Sequence, residues 1–393
     1  MVPGSGGTPP VGEGSGAAPL RVAVLTASIG EGHNSAARAV SGWLTRSPRR
    51  ASVRVLDVFA PAAGGRGAVL RRLYRSSVQY FPAGYQLWYW AIASVSWCHR
   101  YYQCVQGARV GRMLRRELAA FAPDVVVSTY PLATAGAAWL RRRGELSAPL
   151  RALLTDFAPH RFWVYPGVDA YLVLTDAGRV ALRVLTLQVP VHVCALPVDG
   201  HFEVASRSCE LTGRARFGLP VDRLTVLVSG GSMAMGSIRR AVRAVRAAGA
   251  HAVVLCGVNE PLLRALQRAE HRGLLTAMPW TDDMPALMSA CDVVVDNAGG
   301  AVAAEALATG RALVVFRPIT GHGRASARLL ADAGLARTVY NSHHLTDLLR
   351  QWGDRPEALR RVHAQAVRFA EAHSPTDSAQ TLLSPIRAET GSW

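Results

Sequence analysis

Three groups of residues in this chain have the types and spacing for chemistry on a phosphorylated ligand. The first is Asp296-Asn297-Ala298-Gly299-Gly300, which follows the apolar run 293–295 and precedes a small-residue helix bearing one acid, Glu305. A buried strand, a Gly-Gly turn and a helix N-terminus leave free N–H groups and a positive helix end facing a phosphate. Glu305, about one turn into that helix, can accept hydrogen bonds from a ribose diol. The second is Ser229-Gly230-Gly231-Ser232, a glycine loop after the apolar run 224–228, and a second phosphate cradle. The third supplies proton transfer. His33 stands in Ser28-Ile-Gly30-Glu-Gly32-His33-Asn-Ser35, and Asp156 and His160 stand in Thr155-Asp156-Phe-Ala-Pro-His160. Each motif follows a strand, so an imidazole or carboxylate there can remove a hydroxyl proton as a general base. Each also has a plain structural counterpart: a tight βα turn, a helix cap, a capping Asp beside a surface His.

The elements that must hold these groups follow from apolar periodicity. Strands are expected at 21–27, 53–57, 124–128, 150–155, 170–174 and 191–195, then at 224–228, 252–256, 274–277, 292–295 and 312–316. Helical patterns separate them, which argues for parallel sheets. Two doubly wound α/β domains facing a cleft are expected, with ligands beyond the strand carboxyl ends. A disordered Gly/Pro/Ser tail at 1–19, an N-terminal domain over 20–199, a C-terminal domain over 200–382 and a tail at 383–393 complete the division. Residues 197–213 read as the link, and 357–372 as a closing helix ended before Pro375.

Residues 69–118 differ from the rest, with ten aromatics, Trp88, Trp90 and Trp97 among them, interleaved with arginines and broken by Pro82 and Gly84. Aromatics beside Arg suit a membrane interface, or form the core of a helical insertion. No nucleic-acid module accompanies them.

Composition bounds the classes. The chain has 393 residues and a formal net charge of +17, which calls for an anionic partner: lipid surface, nucleic acid or phosphorylated ligand. Six scattered cysteines lack any C-x-x-C pair and read as reduced core residues. Residues 1–19 lack the basic start and apolar core of a signal peptide, and no run reaches the length of a membrane span. There is no D-x-D carboxylate pair to hold a metal against a diphosphate, so backbone N–H groups, helix dipoles and cations such as Arg324 take that role.

As an ordered set, these motifs resemble the monogalactosyldiacylglycerol synthases and the bacterial processive diacylglycerol glucosyltransferases. The peptidoglycan GlcNAc transferase acting on lipid-linked muramyl-pentapeptide is a more distant relative. The resemblance rests on Gly30-Glu-Gly32-His33-Asn-Ser-Ala-Ala, the stretch 155–169, Pro197-Val-Asp, Ser229-Gly230-Gly231-Ser232-Met, Cys256-Gly257-Val-Asn259 and the stretch 297–307. It implies a GT-B fold and an inverting, metal-independent transfer without cofactor, from a UDP-sugar to a lipid acceptor. It also implies a cytoplasmic protein held peripherally at an anionic inner membrane face.

By the same resemblance His33, Asp156 and His160 stand near the acceptor hydroxyl, with Gly30 and Gly32 beside them. Ser229 to Ser232, Asn297, Gly299 and Gly300 form the diphosphate loops, with Gly257 and Asn259, and Glu305 holds the ribose. Met278, Pro279 and Trp280 border the base, and Trp88, Trp90 and Trp97 fall in the acceptor and membrane region. His322-Gly323-Arg324-Ala-Ser326 stands where the plant enzymes carry Gln-Glu-x-Gly-Asn, so galactose, glucose and GlcNAc remain open as donor sugars.

Three alternatives stay open beside this reading. They are a UDP-sugar 2-epimerase on the same fold, a soluble glycosyltransferase acting on a secondary metabolite, and a non-catalytic nucleotide or redox domain. The last uses residues 28–35 as a dinucleotide fingerprint with Asp57 as its ribose acid.

Overall fold

The computed structural model describes residues 18–385 apart from 29–30, 50, 60–95, 187, 203, 206, 233, 271–273 and 320. Gly30, Trp88 and Trp90 therefore lie outside the described residues, as do the side chains of Trp97 and His322. The N-terminal domain runs β1 (Leu20–Thr26), α1 (Glu31–Arg46), β2 (Ala51–Asp57), α2 (Ser96–Phe121), β3 (Val125–Ser128), α3 (Pro131–Arg142), β4 (Leu150–Leu153), β5 (Ala170–Val173), α4 (Asp176–Thr186) and β6 (Val191–Val193). The second series is α5 (Arg207–Phe217), β7 (Thr225–Ser229), α6 (Ile238–Ala247), β8 (His251–Leu255), α7 (Glu260–Glu270), β9 (Leu275–Met278), α8 (Met284–Ala290), β10 (Val293–Asp296), α9 (Ala301–Ala308), β11 (Ala312–Phe316), α10 (His322–Asp332), β12 (Ala336–Val339), α11 (Ser342–Asp354), α12 (Pro356–Glu371) and α13 (Pro375–Leu383).

Two six-stranded parallel sheets result, in the orders β2-β1-β3-β4-β5-β6 and β12-β11-β10-β7-β8-β9. Central strands such as β3, β7 and β11 are buried along their whole length, as continuous apolar runs covered on both faces should be. In each sheet the strand order reverses at one point: between β1 and β3, and between β7 and β10. Loops leaving the carboxyl ends of those strands diverge there, which opens a crevice. The motifs after β1, β7 and β10 are thus brought to the crevice, and the Asp156/His160 motif follows β4, one strand beyond the reversal point.

Three local differences from the sequence expectations have physical causes. β12, Ala336-Arg-Thr-Val339, is an edge strand of mixed burial and carries no apolar run to announce it. Pro375 opens a helix instead of ending the chain's order. It sits in the first turn of α13, where its missing N–H costs nothing, and Ser374 caps the helix by accepting from the Asp377 N–H at 3.0 Å. The stretch read as the link, 197–213, includes the first turns of α5.

α13 lies late in sequence yet packs on the N-terminal half. Buried Arg151 donates to the Thr381 and Ser384 carbonyls, Arg49 to the Leu383 carbonyl at 3.0 Å, and Ser378 Oγ accepts from the Ala195 N–H at 2.9 Å. Arginines thus satisfy the orphan carbonyls of the final turn. α2 crosses α3 closely: a Cβ at Gly136 would meet the Gly111 backbone at 2.9 Å. Its buried stripe is Val110, Leu114 and Leu118, while Arg109, Arg112, Arg115 and Arg116 stay exposed.

Candidate active site

A cavity of about 790 Å³ lies between the two sheets, lined by residues from both domains. From the N-terminal side it takes Glu31, Gly32, His33, Ser35, Arg38 and Tyr130. From the C-terminal side it takes the β7 loop, Gly257, Pro279, Trp280, Asn297, Gly300 and Glu305.

The C-terminal wall is built backbone first. Gly231 has φ +70°, and the β7 loop closes by Met235 N–H to the Gly230 carbonyl at 2.9 Å. A Cβ on Gly257 would sit on the Ser232 carbonyl, and Val258 N–H donates to that same carbonyl at 3.0 Å. Gly257 therefore serves close approach of the β7 and β8 loops. Asn297 braces the same loop from behind, its Nδ2 donating to the Met235 carbonyl at 2.7 Å.

Asp296 is buried and accepts from the Ala298 and Gly299 N–H groups at 3.0 and 2.7 Å. Burial pushes its carboxyl up, and these N–H donors pull it back. The Gly299 N–H is thereby used inside the turn, where Gly299 supplies φ +64°. The first turn of α9, whose N-cap is Gly300 without any side-chain cap, faces the cavity through Gly300, Ala301 and Val302. Its orphan N–H groups and dipole make an anion site. One turn further, partly buried Glu305 has its carboxyl pushed up to about 8, by burial first and then by Asp296.

His33 lies in the first turn of α1, and its Nδ1 is 2.9 Å from the Thr129 carbonyl and 3.1 Å from Thr155 Oγ1. A carbonyl only accepts, so Nδ1 carries the proton and Nε2 is left as the acceptor nitrogen. The Tyr130 ring packs edge-on at 4.8 Å and holds the imidazole plane.

Asp156 and His160 are placed differently. Asp156 Oδ2 accepts from Trp163 Nε1 at 2.9 Å and lies 3.2 Å from His160 Nε2, and His160 packs against Phe162. Neither lines the cavity, although Thr155 beside them orients His33.

Of the expected C-terminal residues, Asn259, Met278, Gly299, Gly323 and Arg324 are also absent from the lining. Asn259 caps α7 by accepting from the Leu262 N–H at 3.1 Å, and Arg324 is exposed on α10. Asp57 accepts from the Ser28 and Phe59 N–H groups at 3.0 and 2.8 Å, which commits it to a turn and not to a ribose. The cavity adds residues to which the motifs assign no role, among them Glu31, Ser35 and Asp199 inside the motifs, and Arg38 on α1 and Phe202 on the link outside them. Glu31, Ser35 and Arg38 also share one helical face by their i, i+4, i+7 spacing, the signal that could have found Arg38. Among the described residues no group of three His, Cys, Asp or Glu side chains is arranged to hold a metal.

Residues 33–198 match the family model of monogalactosyldiacylglycerol (MGDG) synthase, and residues 225–367 that of the glycosyltransferase family 28 C-terminal domain. The processive diacylglycerol beta-glucosyltransferase of Bacillus subtilis is 24% identical over 329 residues, covering 82% of this chain and 84% of its own. That of Bacillus pumilus is 23% identical over 375 residues, covering 93% and 94%. Among solved structures, Medicago truncatula UGT71G1 complexed with UDP-glucose superposes with a TM-score of 0.62 at 12% identity, over 94% of this chain and 98% of that one. Acinetobacter baumannii MurG gives 0.55 at 16%, over 93% and 99%. With two parallel sheets facing a cleft, these likenesses give the GT-B fold. The chain is therefore a UDP-sugar-dependent glycosyltransferase of two domains, the first matching the monogalactosyldiacylglycerol synthase model and the second that of the glycosyltransferase family 28 C-terminal domain.

Proposed function

We propose that the chain transfers a hexosyl or N-acetylhexosaminyl group from a UDP-sugar to the hydroxyl of a lipid acceptor such as diacylglycerol, with inversion and without a metal. The observation that carries this reading is that His33, its Nδ1 held by the Thr129 carbonyl, lines the same cavity as the glycine-lined wall and the first turn of α9. The acceptor hydroxyl gives its proton to His33 Nε2 as its oxygen bonds to the anomeric carbon. The bond from that carbon to the β-phosphate oxygen breaks, and its electron pair leaves with UDP towards the first turn of α9. The dipole and N–H groups there stabilise charge that grows in the transition state. Glu305 is placed for the ribose diol and Trp280, about half exposed at the cavity rim, for the base. Asp156 acts one step removed, by bracing with Trp163 and His160 the loop whose Thr155 contacts His33.

A lipid acceptor implies contact with an anionic membrane surface at the inner face of the cell membrane. No helix among the described residues is long and apolar enough to cross a membrane. The exposed face of α2 carries Arg100, Tyr101, Val105, Arg109 and Arg112, cations beside apolar groups that can seat at a headgroup layer. Incubation with diacylglycerol in anionic vesicles and UDP-glucose, UDP-galactose or UDP-GlcNAc, followed by lipid mass spectrometry, tests the reading. A new glycolipid with one donor supports it. UDP-sugar left untouched by every lipid acceptor would move the activity to a water-soluble acceptor.

A further inference from the structure

We infer that Arg38 is the cation that binds the donor diphosphate from across the cleft, a phosphate ligand supplied by the N-terminal domain. The inference rests on the proposed UDP-sugar donor. Glu31, Ser35 and Arg38 fall at i, i+4 and i+7 of α1 and all line the cavity, so this face of the helix looks into it. Charge makes Arg38 distinctive. Six carboxyl residues line the same cavity, Glu31, Asp199, Asp282, Asp283, Asp296 and Glu305, and Arg38 is the only Lys or Arg among the described lining residues. A diphosphate entering this cavity meets acidic side chains from both domains. The α9 N-terminus offers only about half an elementary charge. A guanidinium supplies a full charge and a fork of donors that matches phosphate oxygens.

It also looks towards the other domain. Arg38 acts electrostatically on Glu305 of α9 and on Asp199 of the link. α1 itself is pressed against α9, because a Cβ on Gly32 would lie 2.8 Å from Ala301 Cβ. Among the described residues nothing strong competes for the guanidinium. Its ion pair with Glu31 is long, at 3.9 Å, and both side chains are about half exposed or more. Such surface pairs contribute little and exchange readily for a better anion. Arg324, the cation suggested by the motif order, sits outside the lining.

The test is calorimetric titration of UDP, UMP and uridine into the full chain and its Arg38→Ala, Arg38→Gln and Arg38→Lys variants. Expected is a UDP affinity lower by roughly ten- to a hundredfold in Arg38→Ala and Arg38→Gln, the size of one charge-assisted contact. Uridine affinity should stay within about threefold, and Arg38→Lys should recover part of the UDP affinity. Equal losses for UDP and uridine, or an unchanged UDP affinity, would overturn the assignment. A wild-type chain that binds no UDP would instead overturn the donor reading itself, and the two failures are separable in one data set.

Discussion

Gly32→Ala adds one methyl group where the two domains touch. The new Cβ would stand 2.8 Å from Ala301 Cβ, whereas carbons rest at about 3.5–4.0 Å, so α1 and α9 must separate by roughly 1 Å. The backbone of Gly32 is not left-handed, so alanine meets no local strain. Within the helix, alanine even gains up to about 1 kcal/mol over glycine. The clash is relieved by opening the cleft, because the partner belongs to the other domain and not to a closed core. His33, the next residue, then moves away from the wall it must face. A misplacement of this size can cost about a hundredfold in rate. The expected outcome is kcat/KM reduced ten- to a hundredfold in the glycolipid assay, with Tm changed by no more than about 3 °C. Ala301→Gly removes the opposing methyl, so the double variant should regain most of the activity, a coupling measurable by a double-mutant cycle. Full activity in Gly32→Ala, or no recovery in the pair, would refute the reasoning.

Other outcomes follow from the same geometry. His33→Gln should lower kcat by a hundredfold or more in single-turnover assays while UDP affinity is kept, the range expected for a general base. Loss of UDP binding instead would place His33 with the donor. Thr155→Val should cost less, about three- to tenfold, because the Thr129 carbonyl still holds Nδ1. Glu305 gives a pH signature. Its carboxyl is raised from an ordinary 4.5 to about 8, so the folded, ligand-free protein keeps a proton that the unfolded chain releases near 4.5. Stability is therefore highest below the ordinary value and falls as pH rises towards about 8, by up to roughly 4–5 kcal/mol. Glu305→Gln should raise Tm at pH 8.5 and leave it nearly unchanged at pH 5, whereas an equal shift at both would contradict the assignment. Arg151→Met should release α13 by leaving the Thr381 and Ser384 carbonyls unpaired, read as faster proteolysis within residues 375–384.

What the sequence by itself determined is local. Apolar runs mark eleven of the twelve parallel strands, most plainly the central ones, because a strand buried on both faces must be apolar along its length. The glycine loops 229–232 and 297–300 follow from the same logic, since a phosphate-facing turn needs free N–H groups and no Cβ in the way. The twelfth strand, Ala336–Val339, escaped because an edge strand does not need that pattern. Pro375 misled because proline ends a helix from inside but begins one at its first turn.

The tertiary structure alone decided which of the marked residues share a space. Asp156 and His160 carry the types for catalysis, yet Trp163 and Phe162, a few positions on, turn them from the cavity. His33 takes its tautomer from Thr129, 96 positions away, a carbonyl no side-chain pattern reveals. Arg38 looks like any arginine on a helix until α1 and α9 meet at Gly32 and Ala301. Strand and loop identities arise from contacts between near neighbours in the chain. The charge and proton chemistry of the cleft depends on distances between residues far apart, and those are set when the two sheets close on each other.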